Sequence, residues 1–268
     1  MFNNFSKSQR FASILLLLLA VFAMTQPVIQ QQTVGSQDLN KILNTPSFEQ
    51  PLGTDQYGRS MYVRLAAGLR LSFWLAGLSV VTSCIIGTGL AIFAAWCRGR
   101  TETLLDALIN SLMALPGLIL VLLFAAVIPG SFVMIYLAIS IVLSLEYYRV
   151  IKASSKAILN SPAVESSQLL GFNHVYILKR HLLPELKPSL FTLSAYGAAN
   201  AILMMASIGF VYVGLKPPTA ELGLMIVELF PYYEEAPWLL CQPLVVLFTV
   251  VLSLNLLAGK NNHAIENR

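Results

Sequence analysis

The residues of this chain that could do covalent or metal chemistry are spaced so as to rule most of it out. His174, His181 and His263 stand at no metal-ligand spacing, and no HExxH occurs. Cys84, Cys97 and Cys241 lie singly in apolar surroundings with no CxxC pair, and read as small buried hydrophobes. Serines are abundant, but none has a His and Asp arrangement that the sequence supports. There is no GxxxxGK[ST], hence no loop built to cradle a nucleotide phosphate. A hydrolase working inside a membrane would carry ionisable groups in mid-span, whereas Asp106 and Glu146 fall near span ends. The stretch that stands out instead is 163–184, AVESSQLLGFNHVYILKRHLLP, a polar segment lying between two long apolar runs of a very apolar chain.

Local chemistry shapes that stretch into a knob. Pro162 suits the first turn of a helix, Ser161 its cap, and Glu165 the positive end of the helix dipole. Small residues follow (Ser166, Ser167), then Leu169 and Leu170, then Gly171 as a stop. Residues 173–184 carry Lys179, Arg180 and His181 back towards the membrane, with Pro184 and Pro188 shaping the re-entry. A short helix showing small and apolar residues fits a groove on a soluble protein. Taken alone, the same residues also suit a solvated loop without a partner.

The elements that hold this segment are membrane spans. The chain has 268 residues, 56% hydrophobic and 11% charged, against about 25% charged in a soluble domain. Such a surface must face lipid. Apolar runs occur at 11–29, 71–97, 108–128, 132–148, 190–213 and 238–258; crossing the hydrocarbon takes about 20 residues. The first run also suits a cleavable signal peptide, but the later spans favour an uncleaved helix loosened at Pro27. Pro116 and Gly117 predict a kink in the third span, and 101–106 a polar turn before it. In 61–70, apolar residues recur among the arginines at helical spacing, which predicts an amphipathic helix at the membrane interface. Ser194, Gly197, Ala198 and Ala201 would let another helix approach closely. Ser79, Thr82, Ser83, Asn110, Ser111, Asn200 and Ser207 are polar mid-span candidates for a pathway, and equally for helix–helix bonding.

Six spans put both termini on one side. With that side cytoplasmic, most of the seventeen Lys and Arg fall in cytoplasmic loops and tails, as short loops prefer. The outer exceptions are Lys41, Arg59, Arg64, Arg70 and Lys216, with Asp55 a candidate partner for the arginines. The 163–184 segment then faces the cytoplasm. The modest net charge of +4 bears on orientation and gives no reason to expect nucleic acid.

The same residues carry a family resemblance. Glu165-Ser166-Ser167, Gly171 six positions after the Glu, Ile177 and the closing Leu183-Pro184 resemble the coupling signature of ATP-binding-cassette (ABC) importer permeases, with serines where that pattern has two alanines. PLGTDQYGRS at 51–60, with Gly53, Thr54, Asp55, Gly58, Arg59 and the downstream Arg64, resembles the hallmark of the second permease subunit in dipeptide, oligopeptide and nickel importers; Ser60 stands where Asp is usual. Residues 210–219, Gly223, 236–238 and 254–257 extend the likeness, with Lys260 where an acidic residue is usual. The resemblance implies an all-α membrane protein with six transmembrane helices and the type I ABC importer permease fold. Its parts would be an N-terminal transmembrane helix at 1–29, an outer loop and interfacial helix at 30–70, a five-helix permease core at 71–258 with a cytoplasmic coupling loop at 150–188, and a cytoplasmic tail at 259–268. It implies a bacterial cytoplasmic-membrane translocase subunit, itself no enzyme and without a cofactor. Its partners would be a homologous second permease, two ABC ATPase subunits that hold ATP and Mg, an extracytoplasmic substrate-binding protein and membrane lipid. Glu165, Ser166, Ser167, Leu170, Gly171, Ile177 and Pro184 would couple the ATPases to transport. Peptides are the expected solute, with nickel or a metal–chelator complex as the alternative. An ion-coupled secondary transporter is the remote reading: Pro116-Gly117 is the broken-helix feature of such proteins, but no carboxylate sits beside it.

Overall fold

The computed structural model describes residues 6–29, 32–97 and 99–259. Arg98, Lys260 and the tail from 260 lie outside them, and with them part of the orientation count and one motif departure. Five described helices are long and apolar enough to cross a membrane: Lys7–Gln26, Met61–Cys97, Phe132–Leu159, His174–Phe210 and Pro237–Ala258. Arg100–Met113 and Gly117–Val127 form a bent pair that makes a sixth span if counted as one. No strand occurs among the described residues, only an isolated antiparallel bridge between Thr54 and Ser60.

We number the helices α1 (Lys7–Ile29), α2 (Met61–Cys97), α3 (Arg100–Met113), α4 (Gly117–Val127), α5 (Phe132–Leu159), α6 (Pro162–Leu169), α7 (His174–Ile177), α8 (Leu183–Phe210), α9 (Leu222–Leu229) and α10 (Pro237–Ala258). A π turn, Leu178–Leu182, joins α7 to α8 without a break. The 37 residues of α2, like those of α7–α8, extend about 55 Å at 1.5 Å each, against a hydrocarbon core of about 30 Å. These helices therefore reach well beyond the bilayer and can present groups outside it.

Several sequence expectations change. The interfacial helix at 61–70 and the span at 71–97 are one helix, α2, uninterrupted at Arg70. Met61 to Ala66 are all buried, so this end packs inside protein rather than lying on lipid. An amphipathic pattern and a helix entering a protein core look alike until the packing is known. The turn at 101–106 is the start of α3. The break at Pro116 is sharper than a kink: α3 and α4 differ in direction by 82°. The loop at 150–188 is mostly helical. α5 runs on to Leu159, Pro184 sits in the first turn of α8, and Pro188 lies inside that helix. Cys97 and Cys241 are exposed and Cys84 is half-buried, because the outer face of a membrane helix can be apolar without being covered by protein.

α2, α5 and α8 form the centre. Lipid gives apolar side chains no reason to leave it, so close packing must hold the helices. At Gly87 an added Cβ would lie 2.5 Å from Tyr147 Cβ and 2.6 Å from the Ser144 carbonyl oxygen. Ser83 Oγ donates to the Ser140 carbonyl (2.8 Å), and Tyr147 OH meets Ser194 Oγ (2.9 Å). Gly197 faces Val80 and Leu143, so the small residues of α8 do admit close neighbours. A middle core cluster includes Leu143, Ile139 and Met205. A second, near one end, joins Ile151, Val164, Ile177 and Leu182. A third, near the other end, joins Met61, Leu65, Leu222 and Met225.

Candidate functional site

Two places bring the singled-out residues together. The first is the hairpin of α6 and α7–α8. Proline opens α6 and Ser161 occupies the cap position, though its hydroxyl makes no capping bond. At the far end Gly171 takes φ +81°, a conformation costly for any residue with a Cβ. The Gly171 N–H donates to the Gln168 carbonyl (2.9 Å) and the Phe172 N–H to that of Ser167 (3.1 Å). This is a Schellman closure, which satisfies the helix-end carbonyls. Asn173 then caps α7 by accepting the Tyr176 N–H.

The segment therefore returns sharply on itself and leaves apolar side chains outside. Leu169 is 84% exposed and Leu170 76%; Phe172 and Val175 beside them are also exposed. Glu165 and Ser166 are exposed, and a Cβ on Gly171 would meet nothing within 4 Å. Glu165 and Gln168 line one wall of a 450 Å³ cleft whose other walls include Trp96, Leu159 and Asn160. The hydroxyls of Ser166 and Ser167 turn inward to the carbonyls of Pro162 (2.9 Å) and Ala163 (3.0 Å). They leave the outline of the knob close to that of small residues. Ile177 is fully buried: it supports the hairpin from beneath and offers nothing to a partner's surface. Pro184 is exposed at the base of α8.

The second place is built from the 51–60 motif. Gly53 and Gly58 both have positive φ, and a Cβ on Gly58 would lie 1.9 Å from the Asp38 carbonyl oxygen. Thr54 Oγ1 donates to the Lys41 carbonyl and accepts the Asn44 N–H. The turn delivers Asp55 to the core. Its Oδ1 accepts the N–H groups of Tyr57 and Arg59 (2.9 Å each). Its Oδ2 accepts from Arg59 Nε and Arg64 Nη1 (2.6 Å each). Glu228 of α9 accepts from both guanidinium groups, Arg64 Nη2 at 2.5 Å and Arg59 Nη2 at 3.3 Å. Asp55 and Arg64 are 0% exposed and Arg59 3%. Two cations balanced by two anions explain how both arginines are tolerated in the core.

Sequence reasoning missed Glu228, which lies 164 residues from Arg64. The signal was a charge count, since one aspartate cannot neutralise two buried arginines. It also missed the lattice at the α3–α5 junction. There Lys152 Nζ meets Glu102 (2.7 Å) and Asp106 (2.5 Å), Lys156 pairs with Glu102, and Tyr148 donates to Asp106 (2.9 Å). Glu221, buried at the start of α9, accepts the N–H groups of Gly223 (2.8 Å) and Leu224 (2.7 Å). Burial pushes its carboxyl up to about 7 against those bonds. Of the polar mid-span candidates, Thr82 and Ser83 bond to Ser140 between α2 and α5. The hydroxyls of Ser111 and Ser207 donate to carbonyls of their own helices. Asn110 lines a 380 Å³ cleft beside Lys152. No group of three metal-ligating side chains occurs among the described residues.

The chain is 29% identical over 259 residues to the dipeptide transport system permease protein DppC of Haemophilus influenzae, covering 94% of this chain and 88% of that one. It is 30% identical over 260 residues to the di/tripeptide transport system permease protein DppC of Pseudomonas aeruginosa, covering 94% and 86%. A putative peptide transport system permease protein of Brucella suis is 29% identical over 263 residues, covering 98% and 88%. Residues 87–266 match the family described as "Binding-protein-dependent transport system inner membrane component". The all-helical spans and this match over most of the chain agree: the chain belongs to that family, as an inner-membrane permease subunit of an ABC-type importer and not an enzyme.

Proposed function

We propose that this subunit forms part of the path by which di- and oligopeptides are imported across the cytoplasmic membrane, driven by ATP hydrolysed on partner ABC ATPases. The observation that carries this reading is α6. It is a hairpin closed by backbone hydrogen bonds at Gly171, with Leu169 and Leu170 exposed, set at the foot of a helix about 25 Å longer than the bilayer core requires. The relatives described above are named for peptides, which favours peptide over nickel as the solute. A homologous permease and an extracytoplasmic binding protein complete the proposed assembly, and both termini lie in the cytoplasm with α6.

ATP and Mg belong to the ATPase subunits and supply only the energy of closure. On this chain, Leu169, Leu170 and the Gly171 turn seat in a groove of the ATPase. α7–α8 carries the displacement into the bundle, where the close contacts at Gly87 and Gly197 make the helices move as packed bodies. ATP drives such a transition only by favouring one of two states over the other.

Gly171→Trp tests the reading. The positive φ costs a non-glycine residue about 1–2 kcal/mol, and the indole fills space that a partner must occupy. We expect the variant to reach the membrane with its spans folded, while dipeptide uptake collapses and ATP hydrolysis no longer follows substrate. Normal ATP-dependent dipeptide uptake by this variant would overturn the proposal.

A further inference from the structure

The coupling hairpin contains a cross-brace. Ser167 Oγ on α6 lies 2.9 Å from His181 Nε2 in the π turn that leads into α8. The same oxygen lies 3.0 Å from the Ala163 carbonyl. A carbonyl can only accept, and the hydroxyl has one proton. The serine therefore donates to Ala163, and Nε2–H of His181 donates to the serine. The neutral Nε2–H tautomer and the imidazolium satisfy this arrangement alike.

The brace sits where a brace has an effect. Beneath it Val164, Ile177 and Leu182, each 0% exposed, share one core cluster. Beside it the Tyr176 ring stands edge-on to His181 at 6.2 Å. On the outer side, α6 is joined to α7 by the Gly171 turn, with nothing packed against the glycine. A turn closed only by backbone bonds can flex. A hydrogen bond from the middle of α6 to the base of α8 resists that flexing. An alanine at 167 would have no atom to accept from His181.

We propose that Ser167 and His181 are positioning residues for energy coupling: their hydrogen bond locks α6 to the foot of α8, so that a push on α6 displaces α8 instead of bending the turn. This rests on the function proposed above, and the experiment separates the two. The full complex, with its ATPase and binding-protein partners, is reconstituted in proteoliposomes with Ser167→Ala, His181→Ala, the double variant, and His181→Gln, which keeps an N–H donor. Two quantities are read. One is dipeptide imported per ATP hydrolysed. The other is the spin-label distance distribution between Gln168→Cys and Lys187→Cys with the native cysteines replaced by serine.

A neutral hydrogen bond contributes about 0.5–1.5 kcal/mol, so each alanine variant should lower the transport-to-ATP ratio roughly two- to tenfold. Each should also broaden the distance distribution. The double variant should be no worse than either single, and His181→Gln should recover most of the ratio. An unchanged distribution in Ser167→Ala overturns the brace whatever the wild-type complex transports, as does a double variant whose loss is the product of the singles. A wild-type complex without ATP-driven dipeptide uptake overturns the functional reading, and the distance distribution then decides the brace alone.

Discussion

Asp55→Asn is the sharpest test of the buried Asp55–Arg59–Arg64–Glu228 cluster. Wild-type Asp55 and Glu228 balance Arg59 and Arg64, and all four side chains are at most 9% exposed. The amide keeps the size of the carboxylate but removes its charge, and its NH₂ cannot accept from either guanidinium. One positive charge is left uncompensated in the core. Removing one partner of a buried pair costs about 3–5 kcal/mol. Two charge-assisted bonds are lost here, at 2.6 Å each, so the upper half of that range applies. The second change is Arg64→Met in the same chain, which leaves Arg59 facing Glu228 in balance. The double variant should therefore be more stable than Asp55→Asn alone, and its loss smaller than the sum of the two single losses by about 0.5–3 kcal/mol. The assay is denaturation of the purified subunit in detergent, followed by tryptophan fluorescence. A neutral Asp55→Asn, or a double variant less stable than the single, would refute the charge-balance reasoning.

Two further outcomes follow from groups the sequence did not single out. Glu221 has its carboxyl raised to about 7 by burial, from the usual 4.5. A raised carboxyl favours the fold while both states are protonated, and that support is lost as pH climbs from about 4.5 through 7; the full loss is of order 3 kcal/mol. Glu221→Gln should flatten the stability–pH curve across that window, and an unchanged slope would count against the assignment. Lys152 holds Glu102 and Asp106 of α3 against α5, while Ile109 is the buried residue of that helix. Lys152→Met should speed hydrogen exchange of the Arg100–Met113 amides at least about tenfold, the equivalent of 1.4 kcal/mol. Unchanged exchange would mean that apolar packing alone holds α3.

Local chemistry was legible where it depends on neighbours in the chain. Pro162 and Gly171 marked both ends of α6 because one fixes a helix-compatible φ and the other permits a left-handed one. The spans were legible because lipid demands long apolar runs. The boundary at residue 70 was not, because Met61 and Leu65 are buried against α9 and α10 and Tyr62 against α1, all distant in sequence. The 82° turn between α3 and α4 showed only as a Pro-Gly pair, whose angle is set by what each half packs against.

By itself the sequence determined that the chain lives in lipid, that it carries no GxxxxGK[ST] motif, and that a short helix bounded by Pro162 and Gly171 interrupts its spans. Those follow from composition, motif spacing and backbone permissiveness, which need no third dimension. Only the tertiary structure decided that Glu228 completes the Asp55 cluster, that Ile177 faces inward while Leu170 faces out, and that Ser167 meets His181. Each of these depends on the direction in which a side chain leaves its helix and on which helix lies opposite, and packing fixes both.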